Sequence, residues 1–443
     1  MQPAFGRTSG LMESVSAVTP ENEPTTVGRL EITRAGGVIP LEIQAATVTF
    51  SARLNGQPAP TNLPASEIGS LYIRHRGATD WTQVGILGGA MIGPDWRLLT
   101  GTYDVQYRRG PQHTWREGVL TPENRNVVFG SLVVPPEGGP IAINLEAATV
   151  RFQARLNGQP APTNLPETEI GLLSIRHIGD SEWTDIGALG GPMIGPDWRL
   201  VTGTYEVRYR RSNQHAWREG VLTPENPATI VGRIAITANG GVVPIDVQAA
   251  TVTLSARVNG QPGPTNAGET EFGVLRMRHE GSTEWIDVGT VGGPMIGPDW
   301  RLLTGRYDVM YDRANNYAWR EGIIAPENAD VTFTTIEVVA AGGALTIPMS
   351  AVDVRFTARL NGQPAPTNLP PSEAGGLALR HFGSTDAFGV SIVGAAPVPE
   401  SWRLVAGTYR LRYDRSATYQ WREGILTPEN DDTDYGCIRL QGP

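Results

Sequence analysis

Four tryptophans stand in the same short phrase, Trp-Arg-Glu-Gly, at Trp115, Trp217, Trp319 and Trp421. An indole beside an Arg-Glu pair, in a segment with neither strand nor helix periodicity, can stack on a sugar ring and hydrogen-bond its hydroxyls. These are the candidate ligand or interface residues. Histidines recur at His75, His177, His279 and His381, each the only one its predicted strand supplies and each in phase with the apolar residues before it. With no cysteine, second histidine or acidic cluster at ligand spacing, a half-buried hydrogen-bonded ring is expected, and no metal or other cofactor. His113 and His215 give way to Tyr317 and Tyr419 in the later copies, which suits packing or stacking better than catalysis.

Carboxylates recur at Glu67, Glu169, Glu271 and Glu373, and guanidinium groups at Arg74, Arg176, Arg278 and Arg380. Two carboxylates could serve a glycosidase, but they would stand in an aromatic cleft and no pattern here indicates one, so surface ion pairs are expected. Nucleophile-elbow, phosphate-loop and calcium-loop patterns do not occur, and the expectation is a protein with no catalytic activity.

The elements that must hold these residues repeat as well. Leu-Asn-Gly-Gln-Pro opens at Leu54, Leu156 and Leu360, with Val258 leading the third copy; Trp-Arg-Leu opens at Trp96, Trp198, Trp300 and Trp402. Each step is 102 residues. That is the size of a domain with its own core, whereas solenoid units repeat every 20–50 residues or so. The partition expected is an N-terminal segment over 1–32 and repeats over 33–134, 135–236, 237–338 and 339–443.

Within a repeat, Val48, Phe50, Ala52 and Leu54 alternate with polar residues, the period-two signature of a strand buried on one face. Asn55-Gly56 follows, the pair that best tolerates a tight hairpin turn. Leu71, Ile73 and His75 share a further strand face, and Tyr103, Val105 and Tyr107 another. Trp96, in phase with Leu98, is expected in the core with its three equivalents. No segment keeps apolar residues at helical spacing over three turns. The fold class expected is all-β: four tandem β-sandwiches of about seven strands in an extended rod, plus an N-terminal orphan strand.

The first strand ending in Leu-Asn-Gly-Gln-Pro-Ala-Pro and the late strand Leu-Leu-Thr-Gly-Thr-Tyr-Asp-Val-Gln-Tyr (98–107) resemble transthyretin-like, or carboxypeptidase-regulatory-like, domains. More closely, they are similar to tandem repeats in uncharacterised surface proteins of GC-rich bacteria. The resemblance implies spacers, adhesin stalks and sometimes carbohydrate binders, and fold alone does not choose among them.

Composition narrows the partners. The net charge is −9 over 443 residues and every basic residue is an arginine. That argues against nucleic acid or an anionic membrane surface as partner. No apolar run reaches the length of a membrane span, so membrane insertion is not expected. Residues 1–18 lack the basic start and apolar stretch of a signal peptide, although an extracellular or cell-surface location is what the tandem architecture suggests. Cys437 is the single cysteine, and its equivalents Thr335, Arg233 and Ser131 are polar, which places it on a solvent-facing strand side.

The leading expectation is a structural stalk or self-assembling, filament-forming subunit. The alternative is a multivalent polysaccharide-binding adhesin using the loop tryptophans. Residues 19–32 match Thr223–Ile236, which close a repeat, yet no sandwich precedes them. Val27, Leu30 and Ile32 then need partners, and pairing of residues 25–32 with the edge of a second copy is the route to head-to-tail assembly.

Overall fold

The structure, a computed structural model, describes residues 19–32, 39–114, 118–195, 197–215, 220–268, 270–297, 299–314, 324–395, 401–420 and 424–442. Among these the fold is all-β, with one short 3-10 turn at Pro371–Glu373. About four tandem sandwiches follow one another, each from two four-stranded sheets in the first three units.

In the first unit β1 spans Ala45–Leu54, β2 Gln57–Pro58, β3 Gly69–His75, β4 Thr82–Leu87, β5 Trp96–Leu99, β6 Gly101–Arg109, β7 Asn126–Val134 and β8 Gly139–Leu145. One sheet has the order β4-β3-β6-β7 and is antiparallel throughout. The other is built on β1, which pairs antiparallel with β2 and β5 and parallel with β8. The hairpin from β1 to β2 turns through Asn55 and Gly56 at φ 52° and 76°, the left-handed conformation that this residue pair adopts most readily.

The alternation in β1 puts Ala46, Val48 and Phe50 between the sheets, where they meet Leu71, Ile73, Tyr103, Val105 and Tyr107. Burial of these apolar faces is the main stabilising term of each unit. The tryptophans of the Trp-Arg-Leu phrase differ among copies. Trp198, Trp300 and Trp402 are buried, while Trp96 is only partly so.

One strand departs from the sequence partition. β8 lies beyond position 134, yet it pairs with β1 along seven residues, from Val48 opposite Gly139 to Leu54 opposite Leu145. The equivalents Gly241–Val247 and Gly343–Met349 pair the same way with the first strand of the unit before them. The 102-residue period stands, but a structural unit runs from β1 through β8 and ends about eleven residues later than the 33–134 division. A single residue, Glu146, Gln248 or Ser350, then separates that last strand from the first strand of the next unit.

Candidate functional site

The recurrent chemistry lies at the junctions between units. The turn asparagine of the first hairpin clamps the next unit: Asn55 Nδ2 donates to the Ala147 carbonyl at 2.9 Å and its Oδ1 accepts from the Ala147 amide at 2.7 Å. Asn157 with Ala249 and Asn259 with Ala351 repeat the pair.

A second clamp runs from the Pro-Glu-Asn segment that precedes β7. Asn124 accepts from the Val201 amide at 2.9 Å and donates to the Tyr205 hydroxyl at 3.0 Å, while that hydroxyl donates to the Val201 carbonyl at 2.6 Å. The three bonds close a ring, and the amide side chain both gives and takes in it without carrying a charge. Asn226 with Leu303 and Tyr307, and Asn328 with Val405 and Tyr409, form identical rings. Burial pushes the Tyr205, Tyr307 and Tyr409 phenols well above their ordinary range, so the hydroxyls keep their protons. Backbones also touch: Val128 donates to the Gly179 carbonyl at 2.9 Å, and any side chain at Gly179 would strike the Val128 carbonyl.

Residues 19–26 fill the same role ahead of the first unit. Asn22 accepts from the Leu99 amide at 2.8 Å and donates to the Tyr103 hydroxyl at 2.7 Å, and Thr26 donates to the Gly77 carbonyl at 2.7 Å. Residues 19–26 thus give the first unit the clamp that each later unit receives from the one before it. The signal in the sequence was the match of Thr19–Asn22 to Thr223–Asn226, and the role of the asparagine in it was missed.

Glu225 sits beside the second of these rings, buried, with Oε2 accepting from the Arg301 amide at 3.0 Å. Burial pushes its carboxyl up to about 7, against the pull of that hydrogen bond and of Arg211. A raised carboxyl means the folded state binds the proton more tightly than the unfolded chain does. Its contribution to stability is therefore full below the ordinary carboxylate pKa, about 4.5, and is lost as pH rises to about 7. Burial lowers His177, His279 and His381, and these act oppositely, removing stability as pH falls below their ordinary value of 6.5. Glu225→Gln is expected to be more stable than the parent at pH 8 and to lose stability more steeply on acidification. Thermal melts from pH 8 to 5 check this; parallel curves for the two proteins would refute it.

The other residues singled out in the sequence divide clearly. Trp115, Trp217, Trp319 and Trp421, with the Arg-Glu pairs after them, lie outside the described residues. His177, His279 and His381 are buried edge-on against Tyr205, Tyr307 and Tyr409, and Nδ1 of each accepts from a glycine amide two residues on. Arg74, Arg176 and Arg278 pair with Asp104, Glu206 and Asp308 at 2.6–3.1 Å and stack on Trp81, Trp183 and Trp285. Glu67, Glu169 and Glu373 are buried rather than at the surface, because the segments carrying Thr121, Thr223 and Thr427 fold over them and those hydroxyls donate to their carbonyls. Val27, Leu30 and Ile32 are exposed and lie in no strand, and Cys437 is exposed on the strand Thr433–Leu440.

No family model and no curated protein matches the chain. Among solved structures it is similar to the Bacillus anthracis TIE protein, at 10% identity and TM-score 0.17, over 92% of this chain and 74% of that one. The pilus adhesin SpaC of Lactobacillus rhamnosus GG is similar at 9% identity and TM-score 0.16, over 74% of this chain and 42% of that one. A putative adhesin of Bacteroides ovatus is similar at 12% identity and TM-score 0.18, over 50% and 91%. A leucine-rich repeat protein of Bacteroides thetaiotaomicron is matched over only 26% of its own length. At these identities and TM-scores the similarities assign no role to this chain. No helix among the described residues is long and apolar enough to cross a membrane.

Proposed function

We propose that this chain is a non-catalytic structural protein of the cell exterior, a stalk or self-assembling subunit made of tandem β-sandwiches. The observation that carries the reading is the serial interlock. Each of the first three units borrows its parallel strand from the start of the next copy of the repeat, and each is clamped to its neighbour by two asparagines. A one-residue connection between such strands leaves the joint no slack, so units stay in fixed relation, as a spacer requires and a set of independent binding modules does not.

Small-angle scattering of the full chain tests the shape. A globule of this length would have a radius of gyration of about 22 Å, and a serial array about twice that. A value near the globule overturns the stalk. Antibody labelling of intact cells tests the exterior placement, and signal seen only after lysis overturns that part.

A further inference from the structure

The fourth unit differs from the other three on one edge. Its first strand is broken: Ala351–Val354 pairs with Trp402–Val405 and Arg359–Leu360 pairs with Gln363–Pro364, but residues 355–358 between them lie in no strand. In the first three units this stretch is held by the parallel strand from the following repeat. Among the described residues no strand covers this stretch in the fourth unit.

Where that strand's side chains would enter the core, the fourth unit has a cleft of about 280 Å³, lined by Ala358, Leu360, Leu377, Leu411 and Tyr435 among others. The corresponding Leu71 and Val105 of the first unit are buried and pack in one cluster with Ile143 and Leu145 of β8. In the fourth unit Leu377 and Leu411 are partly exposed and Tyr435 is exposed at 76%.

The same chain carries an uncommitted copy of the strand. Ile39, Leu41 and Ile43 match Ile141, Ile143 and Leu145 at the 102-residue step, yet they are 43%, 78% and 62% exposed and lie in no strand. Pro40 among them matches Pro244, which sits within the parallel strand Gly241–Val247, so proline is compatible with this edge position.

We propose, deepening the self-assembly reading above, that the cleft of the fourth unit receives Ile39–Ile43 of a second copy of this chain as a parallel strand. The register of the inner units sets Ile39 opposite Phe356, Leu41 opposite Ala358 and Ile43 opposite Leu360. It also sets Glu42 beside Arg359, a complementary pair, as Asp246 lies beside Arg155 in the second unit. The receiving turn is already formed: Asn361 stands at φ 51°, as Asn55, Asn157 and Asn259 do, ready to clamp Ala45 of the incoming copy as Asn55 clamps Ala147. Glu42 can accept from the Gly362 amide, as Asp246 accepts from Gly158 at 2.9 Å. Strand addition of this kind gives a heterologous contact, which repeats from copy to copy into a filament or closes into a ring.

Residues 25–32 are not the donor in this arrangement. They match the strand that the fourth unit already possesses, Thr433–Leu440. Docking in the geometry of the inner junctions also brings Asn430 to the place held by Asn22 on the first unit, so the N-terminal clamp competes with assembly.

Sedimentation velocity of the full chain with Cys437→Ser, over a range of concentrations, tests the proposal. Assembly is expected to rise with concentration and to weaken at least about 100-fold in the double variant Leu41→Asp, Ile43→Asp, which places carboxylates in the apolar cleft. Both side chains are exposed in the free chain, so the variant leaves its fold intact. Asn22→Ala should strengthen assembly several-fold. Glu42→Cys with Arg359→Cys, in the Cys437→Ser background, should cross-link between chains on oxidation. A synthetic peptide of residues 36–46 should bind the double variant and raise the melting temperature of its fourth unit. A chain that stays monomeric at high micromolar concentration and a peptide that does not bind would together overturn the proposal, as would a double variant that assembles like the parent. A monomer of extended shape would leave the stalk reading standing, so the two failures are distinct.

Discussion

Replacing Trp300 by alanine should cost the third unit about 3–5 kcal/mol, the range for removing a large buried aromatic. The indole is 4% exposed, packs in the cluster of Val252, Leu302 and Tyr307, and donates from Nε1 to the Ile296 carbonyl at 2.8 Å. Truncation leaves both a cavity and a carbonyl without its donor, and the structure is too interlocked for the sheets to close over the space. For a domain near 100 residues such a loss shifts the unfolding midpoint by roughly 15 °C or more. Trp96→Ala, at the matching but partly exposed position of the first unit, should cost distinctly less. Calorimetry of the two full-length variants checks both statements, and equal losses would show that the difference in burial has no energetic weight.

That contrast shows what one repeat's sequence could and could not carry. Alternation located β1, β3 and β6, and Asn55-Gly56 marked the hairpin, because strand faces and tight turns are encoded within a few residues. Trp96 and Trp300 stand in the same phrase, so their different burial had to come from neighbours outside it. The segment Gly139–Leu145 also alternates, yet nothing local tells a strand which of two near-identical units to join. A seven-residue parallel pairing joining residues about ninety positions apart is a tertiary choice, fixed by which apolar face needs covering. Glu67 was read as a surface group since recurrence alone says nothing of the segment that folds over it. The role of Asn124 was hidden for a similar reason: its partners, Val201 and Tyr205, belong to the next copy.

Asn226→Ala is expected to uncouple the second unit from the third at a cost of about 2–4 kcal/mol, because two buried groups lose their partner at once. The Leu303 amide would have no acceptor, and the Tyr307 hydroxyl no donor, at a site where Asn226 and Tyr307 have essentially no exposure. Asn226→Asp should be at least as damaging at pH 8. It keeps the acceptor for Leu303 but cannot donate to Tyr307, and it buries a charge beside Glu225, which is itself ionised at that pH. Acidification to pH 5 should then recover part of the loss in the Asp variant and none in the Ala variant, since a protonated carboxyl can again donate to the tyrosine. Limited proteolysis reads the uncoupling directly: with the clamp lost, the strand Gly241–Val247 remains bonded to the second unit while the third swings away, and cleavage should appear near Gln248. If cleavage there is no faster than in the parent protein, the parallel strand and the other contacts, the Asn157–Ala249 clamp among them, hold the joint without it, and the asparagine ring is not what fixes one unit against the next.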